Sequence, residues 1–213
     1  MRKILVTLVL CSFMARLLLV WNSCWAVSQD LVAARACLGA PRPELREASR
    51  HIDRARSTAR TLGLSLRSCL NLTGTRIDLP TEPTPPKVLL PLFDEAARTS
   101  GVERELLLAI VRTESDFHPD AQSFCGAQGL MLLMPEVAKE FGCRDPYDPR
   151  ENLLAGSAYQ ARMARRFGDL SLGLTAAFAG PGCVEKYQDL PPYGEVEEYL
   201  SKVMLSYLSY SLS

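Results

Sequence analysis

Histidine is scarce, with only His51 and His118, and the seven cysteines form no CxxC pair and no Cys/His spacing. A zinc site is therefore not expected, and no residue set calls for a cofactor. Excess charge is also missing, since 24 Lys and Arg balance 24 Asp and Glu. Without a basic surplus the chain does not fit a nucleic-acid binder. Convincing runs of alternating apolar and polar residues are absent as well, which argues against β-structure.

What is present has the composition of a folded protein, at 47% hydrophobic and 23% charged residues. Its charge is unevenly spread. Residues 27–76 carry nine Arg against four acids, whereas 77–213 carry 12 basic against 20 acidic residues. A basic front and an acidic back suggest two units of different character.

Residues 1–26 read as an export signal or an uncleaved anchor. Arg2 and Lys3 precede an apolar run, interrupted by Arg16, and Ala26 supplies a small residue for cleavage. Neither Cys11 nor Cys24 has the flanking residues of a lipid-attachment signal. Export to the periplasm or cell envelope is expected, with membrane contact only through this segment. In that oxidising setting Cys37 is expected to pair with Cys69 and Cys125 with Cys143, leaving Cys183 over. Buried free thiols are the alternative.

Residues 27–72 read as a helical segment. Leu45, Ala48, Ile52, Ala55, Ala59 and Leu62 lay one apolar stripe on a helix, with Ser28–Leu38 as its partner and Gly39 to Pro41 as the turn. Its Arg-rich face reads first as a solvated surface. Residues 73–87 hold four prolines and no apolar period, which predicts a linker.

From Val88 to the end the pattern is helical, giving an all-α domain of about 125 residues. Helices are predicted over Val88–Thr99, Glu103–Glu114, Pro135–Phe141, from Pro149 past Phe167, over Leu170–Phe178, and along a last stripe through Val196, Tyr199, Leu200, Val203, Met204 and Tyr207. Asp148-Pro149 is an N-cap followed by proline in the first turn. On the second helix Leu107, Ile110 and Val111 define the inward stripe, and Glu114 continues it. Burial favours the protonated carboxyl, the form a glycosidase uses to protonate a leaving oxygen. Taken alone, a Glu beside Ser115 and Asp116 also fits a surface or capping group.

The surrounding string decides between them. Leu107 through Glu114-Ser115 to Ser123, then Gly126-Ala-Gln-Gly129-Leu130-Met131-Leu-Leu-Met134-Pro135, resembles the soluble-lytic-transglycosylase (SLT) family. So do Asp145-Pro-Tyr147-Asp148-Pro with Asn152 to Tyr159, Ala179-Gly180-Pro181-Gly182, and Pro192-Tyr193 with Glu195 and Tyr199. The blocks keep the family's order over roughly residues 88–208. The resemblance implies a lysozyme-like catalytic domain, preceded here by the short helical segment, which cleaves the MurNAc–GlcNAc bond of peptidoglycan.

In that family one carboxylic acid suffices. Glu114 would protonate the glycosidic oxygen and then act as base while the MurNAc 6-hydroxyl closes a 1,6-anhydro ring, so no second catalytic carboxylate is needed. Ser123, Gly129, Met131, Met134, Tyr193 and Tyr199 carry over as substrate-binding or groove-shaping positions. Three residues depart from the pattern: Leu132 stands where the family usually has Gln, and Ala177-Phe178 where it has Tyr-Asn. Glycan strands are the expected partner, with a cell-envelope protein as a further one. The rival readings are a catalytically silent SLT-like binder and a hydrolytic muramidase.

Overall fold

The computed structural model describes residues 2–39 and 44–212, with side chains described from Leu17 onward. It divides into two compact units, the first ending at Asp78 and the second beginning at Leu79. All regular structure among the described residues is helical, apart from isolated bridges at Gln122–Gln128 and Gln128–Leu133.

The first unit holds α1 (Arg2–Leu38), α2 (Leu45–Leu62) and α3 (Leu66–Thr73). α1 packs along both of the others. It buries Cys24, Val27, Leu31, Ala34 and Leu38, at the alternating spacing of three and four that lines up one helix face. α2 answers with Leu45, Ala48, Ile52, Ala55 and Ala59, and its small alanines let the helices approach closely. Gly63 ends α2 in the left-handed conformation, and the Ser65 hydroxyl caps α3 by accepting from the Ser68 N–H at 3.0 Å.

Two expectations change here. α1 crosses positions 26 and 27 without interruption, because no Gly or Pro lies between Arg2 and Leu38 to stop a helix. The expected Ser28–Leu38 helix is therefore the end of a longer one. The expected turn through Ala40 and Pro41 lies outside the described residues, as does the side chain of Cys11. Secondly, all six described cysteines are free. The sulfur beside Cys69 belongs to Cys24, at 3.4 Å, rather than to Cys37. Cys143 is buried and donates to the Asp145 carbonyl, whereas Cys125 is exposed, so these two do not pair either.

The stretch Leu17–Leu38 is long and apolar enough, by length and composition, to cross a membrane. A core helix or an export signal meets the same test. Leu17, Leu18, Leu19 and Trp21 are exposed.

The second unit opens with an extended strap. Pro80 and Pro83 offer their carbonyls to Ser209 and Tyr210, and Glu82 accepts from Ser206 at 2.7 Å and from Arg112 at 3.3 Å. Part of the expected linker is thus docked along the second unit's own helices. Then follow α4 (Leu90–Ser100), α5 (Arg104–Ser115), α6 (Pro135–Glu140), α7 (Pro149–Phe167), α8 (Leu170–Ala179), α9 (Pro181–Tyr187) and α10 (Gly194–Leu212). α9 has no counterpart in the sequence reading. It starts where Gly180, at φ +87°, turns the chain and Pro181 supplies the first helical residue.

α7 lies against α4, α6 and α8. Asp148 caps it by accepting from the Glu151 N–H at 2.7 Å. Phe93, Leu107, Leu130, Leu153, Met163, Leu174, Leu200 and Met204 are fully buried and form the core. Each such side chain contributes roughly 1.5–3 kcal/mol on burial. α5 is buried at every position from Leu106 to Val111, so this stretch of the helix is enclosed on all sides.

Candidate active site

The chain leaves α5 immediately after Glu114. Ser115 uses its hydroxyl against two carbonyls, Val111 at 3.2 Å in its own helix and Leu130 at 2.7 Å in the following loop. Asp116 (φ +49°) and Phe117 (φ +63°) are both left-handed, which ends the helix and redirects the chain. Arg112 binds Asp116 at 2.7 Å, and Phe117 is buried with its ring edge-on to Phe93. These contacts fix the helix turn that carries Glu114.

The loop beyond is held by an asparagine. Asn152 on α7 has no exposed surface. Its side chain accepts from the Met131 N–H at 2.8 Å and donates to the Gln128 and Pro146 carbonyls at 3.0 and 2.9 Å. Gln128 and Leu133 exchange two backbone hydrogen bonds of 2.9 Å, closing the turn between them. Gly129 makes this possible: a Cβ there would lie 2.0 Å from the Pro146 carbonyl oxygen, and its φ is +81°. Gly156 on α7 leaves the space that Met131 fills, since a Cβ there would lie 2.4 Å from the Met131 sulfur.

The opposite wall comes from the end of α8, the start of α9 and the start of α10. Phe178 stacks on Tyr199 with ring centroids 4.1 Å apart and planes 10° from parallel. Tyr193 stands edge-on to Tyr187, their hydroxyls 3.0 Å apart. Between the walls lies a cavity of about 640 Å³ with Glu114 on its surface.

Glu114 is half-buried there. Burial pushes its carboxyl from the ordinary 4.5 up to about 7, while the hydrogen bond from Tyr199 works in the opposite direction. Tyr199 is itself buried, which together with the adjacent Glu114 charge raises its hydroxyl well above the usual value. It therefore remains a donor throughout the neutral range. The site thus holds a carboxyl whose ionisation is shifted toward neutrality, beside a hydroxyl that stays protonated. Among the described residues no three His, Cys, Asp or Glu side chains gather to hold a metal ion.

The fold brings Glu114, Ser123, Met131, Met134, Tyr193 and Tyr199 onto one cavity. The Ser123 oxygen accepts from the Ala127 N–H at 3.0 Å, which leaves its O–H to donate to a ligand. Gly129 does not line the cavity; it is packed behind the wall against Asn152 and Pro146. The three departures Leu132, Ala177 and Phe178 do line it, so an apolar surface takes the place of polar groups.

Sequence reasoning assigned no role to Asn152. The signal available was an amide on the buried face of a helix otherwise read as apolar. Glu195 also went unassigned, although this exposed carboxylate lines the same cavity.

Known proteins resemble this chain over the region that builds the site. The family model described as Transglycosylase SLT domain matches residues 91–199. A membrane-bound lytic murein transglycosylase F of Desulfosudis oleivorans is 40% identical over 80 residues, covering 38% of this chain and 18% of that protein. A transglycosylase of Enterobacteria phage PRD1 is 36% identical over 85 residues, covering 40% and 32%. The matched region thus spans between a fifth and a third of these relatives' length. Among solved structures, an inactive mutant of lytic transglycosylase Slt from Pseudomonas aeruginosa superposes with a TM-score of 0.53 at 26% identity, covering 81% of this chain and 30% of that one. The 70 kDa soluble lytic transglycosylase of Escherichia coli gives 0.51 at 22% identity, over 81% and 31%, and supports the fold alone. With more than half of its length matched, and its acid and both groove walls inside that match, the chain belongs to the transglycosylase SLT domain family.

Proposed function

We propose that this protein is a peptidoglycan lytic transglycosylase, with Glu114 as its only acid–base catalyst. The observation that carries the reading is the Glu114 carboxyl, pushed up to about 7 by burial and facing a groove of about 640 Å³. A protonated Glu114 donates to the oxygen between MurNAc and GlcNAc as an oxocarbenium-like state develops. The resulting carboxylate then takes the proton of the MurNAc 6-hydroxyl, whose oxygen attacks C1 and closes the 1,6-anhydro ring. The nucleophile belongs to the substrate, so the enzyme supplies position rather than a second carboxylate. Ser123, Met131, Met134 and Tyr193 contact the glycan, and Tyr199 orients the acid.

The names of the relatives, and an apolar helix near the N-terminus, support a place in the cell envelope; exposure to the periplasm follows from the substrate. The unit from residue 88 onward is the catalytic one in this reading, and 1–26 acts as signal or anchor.

Two rival readings each have one observation behind them. Leu132, Ala177 and Phe178 remove polar groups from the groove, which favours a silent glycan binder. Glu195 puts a second carboxylate on the cavity, which favours hydrolysis. Digesting purified peptidoglycan with wild type and Glu114→Gln, then identifying muropeptides by mass, separates all three. Anhydro ends from wild type alone support the transglycosylase. Reducing ends point to a muramidase, and sacculus binding without any product to a binder.

A further inference from the structure

Phe178 is 40% exposed on the wall of the groove. Its neighbour is Tyr199, which is only 7% exposed and lines the same cavity as Glu114, whose carboxyl its hydroxyl holds down against the effect of burial. The phenolic oxygen lies on the axis of the ring torsion, but its O–H bond prefers the ring plane, and that torsion has a broad minimum, so burial alone does not fix the direction in which the hydroxyl donates. A flat partner does. With planes 10° apart and centroids at 4.1 Å, Phe178 stacks on one face of the Tyr199 ring and restricts that rotation. Phe178 is in turn fixed at the end of α8, two residues before Gly180 bends the chain into α9. Its position is one where the SLT pattern usually carries Asn, next to Ala177 where it carries Tyr.

We propose that Phe178 is a positioning residue, whose stack on Tyr199 holds the Tyr199 hydroxyl on the Glu114 carboxyl. This rests on Glu114 being the acid, and its test is built to separate the two claims. The first arm needs no turnover. With tyrosine labelled by carbon-13 at Cζ, and Tyr199 assigned through Tyr199→Phe, the Tyr199 signal of wild type follows the ionisation of Glu114 near pH 7. Glu114→Gln abolishes that titration. Phe178→Ala is expected to shrink it to less than about half, and Phe178→Tyr, which keeps the flat face, to preserve it. Should Phe178→Ala not fold, Phe178→Leu keeps the apolar volume without the flat face and gives the same reading. A full-sized titration in Phe178→Ala or Phe178→Leu overturns the proposal, whatever the protein catalyses.

The second arm uses product formation. Phe178→Ala is expected to lower kcat about 3- to 10-fold with KM within about twofold, the loss of one oriented hydrogen bond. In a Tyr199→Phe background the same substitution costs less than about twofold, because the pair acts as one unit. Independent, multiplying losses overturn the proposal.

Discussion

The two walls of the groove are built by different physics. The wall from Ser115 to Met134 is held by directional bonds: Ser115 to Leu130, Asn152 to three backbone groups, and the closed turn between Gln128 and Leu133. The wall from α8 and α10 is held by flat apolar faces, chiefly Phe178 on Tyr199. The first resists displacement of any single atom, because each lost partner leaves a buried polar group unsatisfied. The second tolerates substitution but specifies orientation only while the rings stay parallel. Glu114 sits between them, anchored through its helix to one wall and touched by a single hydroxyl from the other.

The largest effect expected is at the acid. Glu114→Gln should lower anhydro-product formation by about 10²- to 10⁴-fold, the usual contribution of a general acid, with substrate binding retained. A variant keeping more than a tenth of wild-type rate would move catalysis elsewhere on the groove, Glu195 first.

Next comes the polar wall. Asn152→Ala strands the Met131 N–H and two carbonyls, and should cost about 3 kcal/mol in urea unfolding, against about 1 kcal/mol for Phe178→Ala. Equal losses would erase the contrast between the walls.

The third effect is a pH dependence with a definite sign. The folded Glu114 carboxyl is raised from 4.5 to about 7, so between these values the native state holds more of this proton than the unfolded chain. This favours folding at low pH and is lost as pH rises through about 7. Glu114→Gln lacks the group, so its stability relative to wild type should grow by on the order of 1–3 kcal/mol from pH 5 to 8 in thermal or urea melts. A flat difference would mean that Glu114 is solvated. Turnover should likewise decline above about pH 7 as the acid deprotonates.

The smallest effect is at the hydroxyl. Tyr199→Phe should reduce kcat about five- to tenfold and shift the alkaline limb upward, since the lost hydrogen bond had been lowering the Glu114 value. A downward shift in the pH–rate profile would contradict that account.

The helices of the second unit were readable because stripe and punctuation agree in them. Asp148-Pro149 opens α7 as its residues require, and the stripe through Leu107 and Ile110 leads to Glu114. Three things were hidden, each for a stated cause. Gly180-Pro181 reads as a stop, yet the same residues also start a helix, so α9 went unseen. Asn152 looks like any polar helix residue until the loop it holds is folded over it. The approach of Cys24 rather than Cys37 to Cys69, as free thiols, depends on α1 continuing past residue 26, a junction read from composition as a boundary. Of the predicted site residues only Gly129 lies off the cavity; its necessity was legible, but its place behind the wall was not.

The strap at residues 79–83 bears on how this domain can be moved between proteins. Judged by helical pattern, a graft would begin at Val88 and discard Glu82. Arg112, two residues before the acid, would then lose one of its two carboxylate partners, and Ser206, Ser209 and Tyr210 on the last helix would lose theirs. The second compact unit begins at Leu79, and a graft that keeps this first segment, although unwound, keeps those bonds to α5 and α10.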